Sequence, residues 1–303
     1  MTFEIANIIA PVWLPLVWGL FVGFVFSTVG AAGGILASFG LISVLGLQNA
    51  NLVKPMAQTL TLVTPLIAVP IYFRQRRLVI SLALILGAGG VFGAIIGSSL
   101  SVSHLSDMQL FKPVFGILVL VIVVQIAWQL VGRKQVTEQH TLRASLNFEH
   151  LVDQGGAPCS IGVKQQSWSF DRINFIFAGE NFSYNPWLPF FTGMGIAIIS
   201  SAFGVGGGFL LVPYMSIIMR LPMFIIAGTS ALAIAIHSIS SIANYMRLGV
   251  ELDYSLLALL LSGTAIGAFV GPLLSKFLRE SWLRAILCIV LLFIGLWYLG
   301  IAS

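Results

Sequence analysis

Four glycines and two serines interrupt an otherwise apolar run in the second half of the chain. Residues 200–213 read Ser-Ser-Ala-Phe-Gly-Val-Gly-Gly-Gly-Phe-Leu-Leu-Val-Pro. Glycine has no Cβ, so the backbone can leave helical geometry there. Within a membrane, unwound backbone is tolerated only where protein buries it or water fills a cavity beside it. The stretch therefore predicts a broken helix at a polar site. The N–H groups and positive dipole end of a half-helix that begins near Gly207 or Gly208 favour an anion.

A weaker copy of this stretch occurs earlier in the chain, at a constant offset of 174 residues and without gaps. The residue pairs that it relates include Trp13 and Trp187, Ser27 and Ser201, Gly30 and Gly204, Gly33 and Gly207, and Gly34 and Gly208. About sixty residues later, glycines at 89, 93 and 97 recur at 263, 267 and 271. This register predicts an internal repeat. The four-residue glycine spacing is typical of closely packed membrane helices.

The composition excludes a soluble globular domain. Hydrophobic residues make up 58% of the chain and charged residues 8%, and the mean hydropathy is +1.01. The sequence therefore predicts a polytopic, all-α membrane protein. The net charge of +5 does not indicate a nucleic-acid partner, because the basic residues lie mostly at segment ends, where they set orientation. The two cysteines, Cys159 and Cys288, predict neither a disulfide framework nor a metal site.

The apolar runs divide the chain into two membrane repeats, at 1–131 and 186–303, joined by a polar linker at 132–185. We count about five hydrophobic segments in each half. The short segments at 33–47 and 207–219 either cross only partly or belong to re-entrant hairpins. An odd count predicts that the two halves are inverted in the membrane. The basic loops at 74–77 and 276–284 are expected to be cytoplasmic, because positive residues are retained on that side.

The linker is also expected to be cytoplasmic, since it begins with Arg133 and Lys134. Residues 167–177 could pair as short strands. The segment either joins the two repeats passively or serves as a docking or regulatory element.

Polar side chains inside the apolar segments mark positions that face a cavity or a neighbouring helix. Ser230, His237, Ser241 and Asn244 follow one face of a predicted helix. An unperturbed histidine titrates near neutral pH, so His237 is a candidate for proton coupling, with a structural contact between helices as the alternative. In the first half, Lys54 is expected to extend its ammonium to the membrane surface, with attraction of anions as the alternative.

The sequence has no metal-binding pair, no nucleotide-binding glycine and lysine loop and no evident nucleophile with a base. We therefore expect neither an enzyme nor an ATP-driven pump, and no cofactor.

Three motifs together resemble the TauE/SafE sulfite exporter family. They are the stretch from Gly204 to Gly208 followed by Pro213, the triplet Gly228-Thr229-Ser230, and the segment from Tyr245 to Asp253. The resemblance covers both halves and omits the linker. It implies an integral protein of the bacterial inner membrane that moves sulfite, sulfonates or other small sulfur-containing or organic anions. The first copy departs from this pattern, since Lys54-Pro55-Met56 stands where the second has Gly-Thr-Ser.

The leading hypothesis is a carrier that exposes one anion site to each side of the membrane in turn, as the inverted halves rock against each other. A passive anion channel and a membrane scaffold that recruits a partner through the linker are the alternatives, and the oligomeric state stays open. The predicted partners are the anion, the lipid bilayer and the proton as a coupling ion. The predicted substrate-binding residues are Ser27, Gly30, Gly33, Gly34, Gln58, Ser201, Gly204, Gly206, Gly207, Gly208, Thr229 and Ser230, with His237 as the proton-coupling candidate.

Overall fold

A computed structural model describes most of the chain. The described residues are 1–29, 33–131, 141, 143–144, 147, 162–168, 172–275 and 280–300.

Long helices dominate the described residues and confirm the all-α membrane class. The helices are α1 (Trp13–Val29), α2 (Gly33–Phe39, continued as a π-helix over Gly40–Val44), α3 (Ala50–Arg74), α4 (Ile80–His104), α5 (Met108–Val131), α6 (Trp187–Phe203), α7 (Gly208–Pro213, continued as a π-helix over Tyr214–Ile218), α8 (Met223–Arg247), α9 (Tyr254–Ser275) and α10 (Glu280–Tyr298). Four of them, α3, α4, α5 and α8, are long and apolar enough to cross a membrane.

The helix boundaries repeat with the offset read from the sequence. Helices α1 and α6 are displaced by 174 residues at both ends, and so are the two π-helical stretches, at 40–44 and 214–218. Helices α3 and α8 follow the offset to within one residue. A π-helix is rare, so its recurrence at equivalent positions shows that the two halves have the same local structure.

Each half begins with a hairpin of one long and one short limb. In the first half, the indole N–H of Trp18 donates to the carbonyl of Leu36 at 3.2 Å, and Gly33 packs against Phe26 near the other end of α1. The chain in α2 therefore runs back along α1 and returns to the end where α1 began. The short segments thus form re-entrant hairpins, one of the two arrangements that the sequence left open.

Contacts between loops define the two ends of the helix bundle. At one end, which we call the N-terminal end, the N–H of Ala6 donates to Oδ2 of Asp253 at 3.1 Å. At the opposite end, which we call the linker end, the N–H of Val163 donates to the carbonyl of Arg76 at 2.8 Å. Thr141 likewise donates its hydroxyl to the carbonyl of Arg220 at 2.6 Å. Helices α3, α4 and α5 cross the bundle in alternating directions, so that the three together take the chain from the N-terminal end to the linker end. Helices α8, α9 and α10 likewise alternate and together return it to the N-terminal end. The halves are therefore inverted, and three crossings per half produce the inversion.

The glycines with four-residue spacing lie where helices from different halves approach closely. Helix α1 packs against α9 and α6 packs against α4. A Cβ on Gly263 would meet the backbone of Leu16, and a Cβ on Gly89 would meet the backbone of Phe190, the repeat-mate of Leu16. Small residues permit such backbone contact between membrane helices. The predicted structural role is confirmed for Gly89, Gly93, Gly97, Gly263 and Gly267, while the surroundings of Gly271 lie outside the described part of the chain.

The linker contributes a three-stranded antiparallel sheet, β3 (Lys164–Trp168), β4 (Ile173–Phe177) and β5 (Glu180–Tyr184). The two-residue strands β1 (Thr2–Phe3) and β2 (Ile8–Ile9) pair near the N-terminus. Phe175 and Phe177 of β4 are fully buried in a core that includes Leu82 of α4 and Ile225 of α8. The linker sheet therefore packs on helices of both halves, and the short strands expected at 167–177 are confirmed.

A valine at Gly93 tests the packing of α4 against α6. A Cβ there would overlap the carbonyl of Met194, so we expect Gly93→Val to lower the free energy of unfolding by about 1–3 kcal/mol. The measurement is thermal unfolding in detergent. Gly195→Val is the matched control, because that glycine lies in α6 with no heavy atom within 4 Å of its added Cβ. Equal melting temperatures for the two variants would contradict the packing assignment.

Candidate functional site

The glycine-rich break lies where the tips of the two hairpins meet. A Cβ on Gly34 would meet the backbone of Val205, so the tips touch. Helix α6 ends at Phe203 and α7 begins at Gly208. Between them, Gly204, Gly206 and Gly207 have φ values of 73°, 79° and 72°, a left-handed conformation in which a side chain is strained. The sequence placed the break correctly.

Four successive backbone N–H groups follow this break without a hydrogen-bond acceptor among the described residues. They belong to Gly206, Gly207, Gly208 and Phe209. The neighbouring groups are paired, since Val205 donates to the carbonyl of Ser200 at 3.0 Å and Leu211 donates to that of Gly207 at 3.1 Å. Successive N–H groups around a change of backbone handedness form an anion-binding concavity.

One face of α3 lines the break on the side of the first half. Gly204 packs against the backbone of Lys54, and a Cβ on Gly206 would lie 2.8 Å from the hydroxyl oxygen of Thr61. Gln58 lies between them in sequence, at spacings of four and three residues that share one helical face. Its side chain is fully buried, and neither its amide nitrogen nor its amide oxygen has a partner among the described residues.

Helix α8 lines the other side of the break. A Cβ on Gly207 would lie 3.1 Å from Nε2 of His237 and 3.2 Å from Cβ of Ser200. His237 is 2% exposed, and both of its ring nitrogens lack a hydrogen-bond partner within the described part of the chain. The buried hydroxyls of Ser201 and Ser241 also lack a hydrogen-bond partner among the described residues.

This concentration of unpaired polar groups indicates a binding site. Buried polar atoms in folded proteins are nearly always hydrogen-bonded, and each unpaired one costs about 1–3 kcal/mol. Gln58, His237 and the backbone N–H groups together provide several donors, and the described residues place no carboxylate among them. The arrangement can bind a small ligand rich in oxygen atoms.

A cavity of about 360 Å³ reaches the break at Gly208 and Phe209, while Gln58 and His237 do not line it. Its size is typical of small-molecule pockets. Ser27, Gly208 and Ser230 line it, together with the unpartnered hydroxyl of Thr64. A second cavity of about 420 Å³ shares Ser27, Thr64, Ala68 and Tyr72 with the first and extends to Gln75 and Arg77. The two cavities thus form one cleft between the hairpin tips and the linker end.

The repeat-equivalent positions on the side of the N-terminal end are closed. Ser201 and Ser238, the mates of the cavity residues Ser27 and Thr64, are fully buried. The Tyr245 hydroxyl donates to the carbonyl of Ser201 at 2.7 Å, and the Ser101 hydroxyl donates to that of Ala202, also at 2.7 Å. These contacts join α8 and α4 to the end of α6. The two halves therefore share a fold, but a cavity reaches the hairpin tips from the linker end, whereas the equivalent residues towards the N-terminal end are buried.

Lys54 lies in this closed region, and its expected position at the membrane surface is wrong. The side chain is fully buried. Its ammonium donates to Oδ1 of Asn51 at 3.3 Å and to the carbonyls of Ser101 and Leu105. Because the carbonyls at the C-terminal end of α4 carry the negative end of the helix dipole, they stabilise the cation without a carboxylate.

The structure separates some of the other predicted residues from the site. The Thr229 hydroxyl donates to the carbonyl of Ile225 at 2.7 Å and accepts from the N–H of Val79 at 3.1 Å, so it joins α8 to the start of α4. Gly33 packs against Phe26 within its own hairpin. Gly30 lies outside the described residues.

Sequence reasoning missed several residues that the structure places along the cleft. Gln125 lines the first cavity and donates from its side-chain amide to the carbonyl of Phe209 at 2.9 Å. As an amide in the apolar helix α5, it carried a signal that could have been used. Tyr72 and Arg77 gave no comparable signal, because each lies at an ordinary position for its residue type.

The inverted halves, the broken helix of the second hairpin and the polar groups around it define an integral membrane protein of a transporter-like architecture. The family model described as "Sulfite exporter TauE/SafE" matches residues 15–298, and the chain belongs to this family of membrane transporters.

The chain is also similar to the "Probable membrane transporter protein YunE" of Bacillus subtilis (strain 168), with 29% identity over 134 residues. This similarity covers 42% of the chain and 47% of the relative, so the chain spans about half the length of the relative that it matches. No solved structure matches the chain.

Replacing Gln58 by leucine tests whether its unpaired amide serves binding or stability. We expect Gln58→Leu to raise the melting temperature of the ligand-free protein in detergent, because it removes a buried amide without partners. Thr229→Val is the contrasting variant. It leaves the buried N–H of Val79 without an acceptor and should lower the free energy of unfolding by about 1–3 kcal/mol. Destabilisation of both variants to the same degree would assign Gln58 a structural role.

Proposed function

We propose that the protein is a secondary transporter of small anions that works by alternating access between its inverted halves. The observation that carries this proposal is the row of unpaired N–H groups from Gly206 to Phe209, beside the unpartnered side chains of Gln58 and His237. Ordered N–H groups at the start of a half-helix favour negative charge. An anion bound there would satisfy donors that are otherwise desolvated without compensation.

Sulfite, a sulfonate or another small sulfur-containing or organic anion is the proposed substrate class. Family membership supports the sulfur oxyanions, and the site's chemistry supports an oxyanion in general. The cleft beyond the site is lined mostly by apolar side chains and hydroxyls, which suits a molecule that combines an anionic oxygen cluster with little other polarity.

The difference between equivalent residues in the two halves supports alternating access. Ser27 lines an accessible cleft, while its mate Ser201 is buried beneath the contact from Tyr245. If the first half adopted the closed arrangement now seen around Ser201, and the second half the open arrangement now seen around Ser27, the linker end would close and the N-terminal end would open. Inverted-repeat transporters change access in this way.

The protein is proposed to lie in the inner membrane of a bacterium, with the linker end in the cytoplasm. Arg74, Arg76 and Arg77 lie at that end, after α3, and positively charged loops are retained on the cytoplasmic side. At the N-terminal end, the loop between α8 and α9 carries the acidic residues Glu251 and Asp253.

Transport in proteoliposomes tests the proposal, with labelled sulfite, thiosulfate and a small sulfonate as probes. We expect saturable uptake of at least one anion by the wild-type protein. Gly207→Val should reduce this flux to near background, because a β-branched residue is strained at φ 72° and its Cβ would approach Nε2 of His237. Gly195→Val is the matched control and should transport normally. Flux that does not saturate would indicate a channel, and wild-type flux through Gly207→Val would place the site elsewhere.

His237 is the proposed carrier of a coupled proton, since its unpartnered ring lies against Gly207. An imposed proton gradient should accelerate anion flux through the wild-type protein several-fold. His237→Gln should lose this acceleration, because glutamine cannot exchange a proton near neutral pH. His104→Gln, at an exposed histidine at the end of α4, is the control and should respond like the wild type. An unchanged response of His237→Gln would return this residue to a structural role.

A further inference from the structure

A single charged side chain lines the cleft among the described residues, and it lies at the linker end. Arg77 borders the second cavity together with Gln75 and Tyr72, and the walls of both cavities are otherwise uncharged. The neighbouring residues Arg74 and Arg76 are exposed and line neither cavity. The sequence shows three similar arginines in one loop, and the structure distinguishes one of them.

The guanidinium of Arg77 is held at a defined position. Its Nε donates to the carbonyl of Phe224 at 3.2 Å, and its Nη1 donates to Oε1 of Gln75 at 3.3 Å. It also lies 5.3 Å from the ring centre of Tyr72 and 5.1 Å from that of Phe224, which are distances for cation–π contact. Burial lowers the pKa of Arg77 and the nearby Tyr72 raises it, and an arginine in a protein stays charged.

A fixed cation beside a low-dielectric cleft concentrates anions and repels cations within it. Tyr72 lines both cavities, so the charge is placed where the outer cavity joins the inner one. The inner site contributes backbone N–H, amide, hydroxyl and imidazole groups, and the start of the half-helix favours an anion there. Arg77 adds a full positive charge before the ligand reaches Gly208.

We propose that Arg77 forms an entrance subsite that draws small anions into the cleft from the linker end and excludes cations. This inference deepens the proposed transport function, on which its physiological meaning rests. The guanidinium would form charge-assisted hydrogen bonds with an incoming oxyanion. The anion would then pass Ser27 and Thr64 and reach the N–H groups at the start of α7.

The test uses a cysteine reporter inside the cleft and needs no knowledge of the substrate. Ala68 lines both cavities, so Ala68→Cys is introduced together with Cys159→Ser and Cys288→Ser. Its modification rate is measured with an anionic and a cationic methanethiosulfonate of similar size. Arg77→Gln should lower the ratio of the anionic to the cationic rate roughly tenfold. Arg74→Gln is the control and should leave the ratio unchanged, and an unchanged ratio in Arg77→Gln would overturn the proposal.

A second variant keeps the arginine in place and guards against misfolding. Gln75→Glu retains the acceptor for Nη1 of Arg77 and adds a negative charge beside the guanidinium. It should lower the rate ratio in the same direction as Arg77→Gln. A ratio that stays at the wild-type value in a folded Gln75→Glu protein would also contradict the entrance subsite.

Two further measurements separate the possible sources of the anion and the two levels of proposal. The rate ratio is compared in detergent without phospholipid and in vesicles that contain phosphatidylglycerol. Similar ratios support a subsite for free anions, whereas loss of the preference in anionic vesicles would assign Arg77 to a lipid phosphate.

For a transported anion, Arg77→Gln should raise KM about tenfold for entry from the linker end and change kcat little. Absence of any wild-type flux would count against the transport proposal, while the rate ratio would still decide the role of Arg77.

Discussion

The structure depends on the need to satisfy backbone polar groups away from water. In the interior of a membrane protein each N–H and carbonyl must find a partner, which is why helices predominate there. Among the described residues of the hairpin tips, the stretch after Gly204 departs from this rule, because the left-handed backbone there leaves four N–H groups unpaired. Such a departure is sustainable if a ligand or water occupies the gap. The glycines of this break are therefore required for the backbone conformation, and Gly34 of the opposite tip is required for its close approach to Val205.

The inverted repeat explains how a single chain surrounds such a site with few polar residues. Two hairpins that enter from opposite ends bring their tips together, and each is held by a glycine-lined helix of the other half, α9 for α1 and α4 for α6. Because the pairing is reciprocal, the scaffold itself has no preferred end. The preference arises from side chains that differ between mates, such as Tyr245, which donates to Ser201 where its mate Ile71 has no hydroxyl to donate.

The sequence predicted the parts of this architecture that follow from local rules. The offset of 174 residues, the break at Gly204 to Gly208 and the packing role of Gly263 depend on residue type and spacing, and the structure agrees with them. The position of Lys54 depends on which carbonyls lie nearby, and these belong to α4, about fifty residues later in the chain. Thr229 resembled a site residue for the same reason, since a buried threonine gives no sign in the sequence of whether its hydroxyl is already paired.

The repeat also shows why the two ends of the cleft would handle an anion differently. The offset maps Arg77 onto Glu251, which is exposed in the loop between α8 and α9. A matching opening at the N-terminal end would thus carry a carboxylate where the linker end carries a guanidinium. Fixed charges change the rate at which a charged ligand enters. They cannot by themselves set the final distribution of the ligand across the membrane. The inverted charge would therefore speed the entry of an anion at the linker end and slow its entry at the N-terminal end.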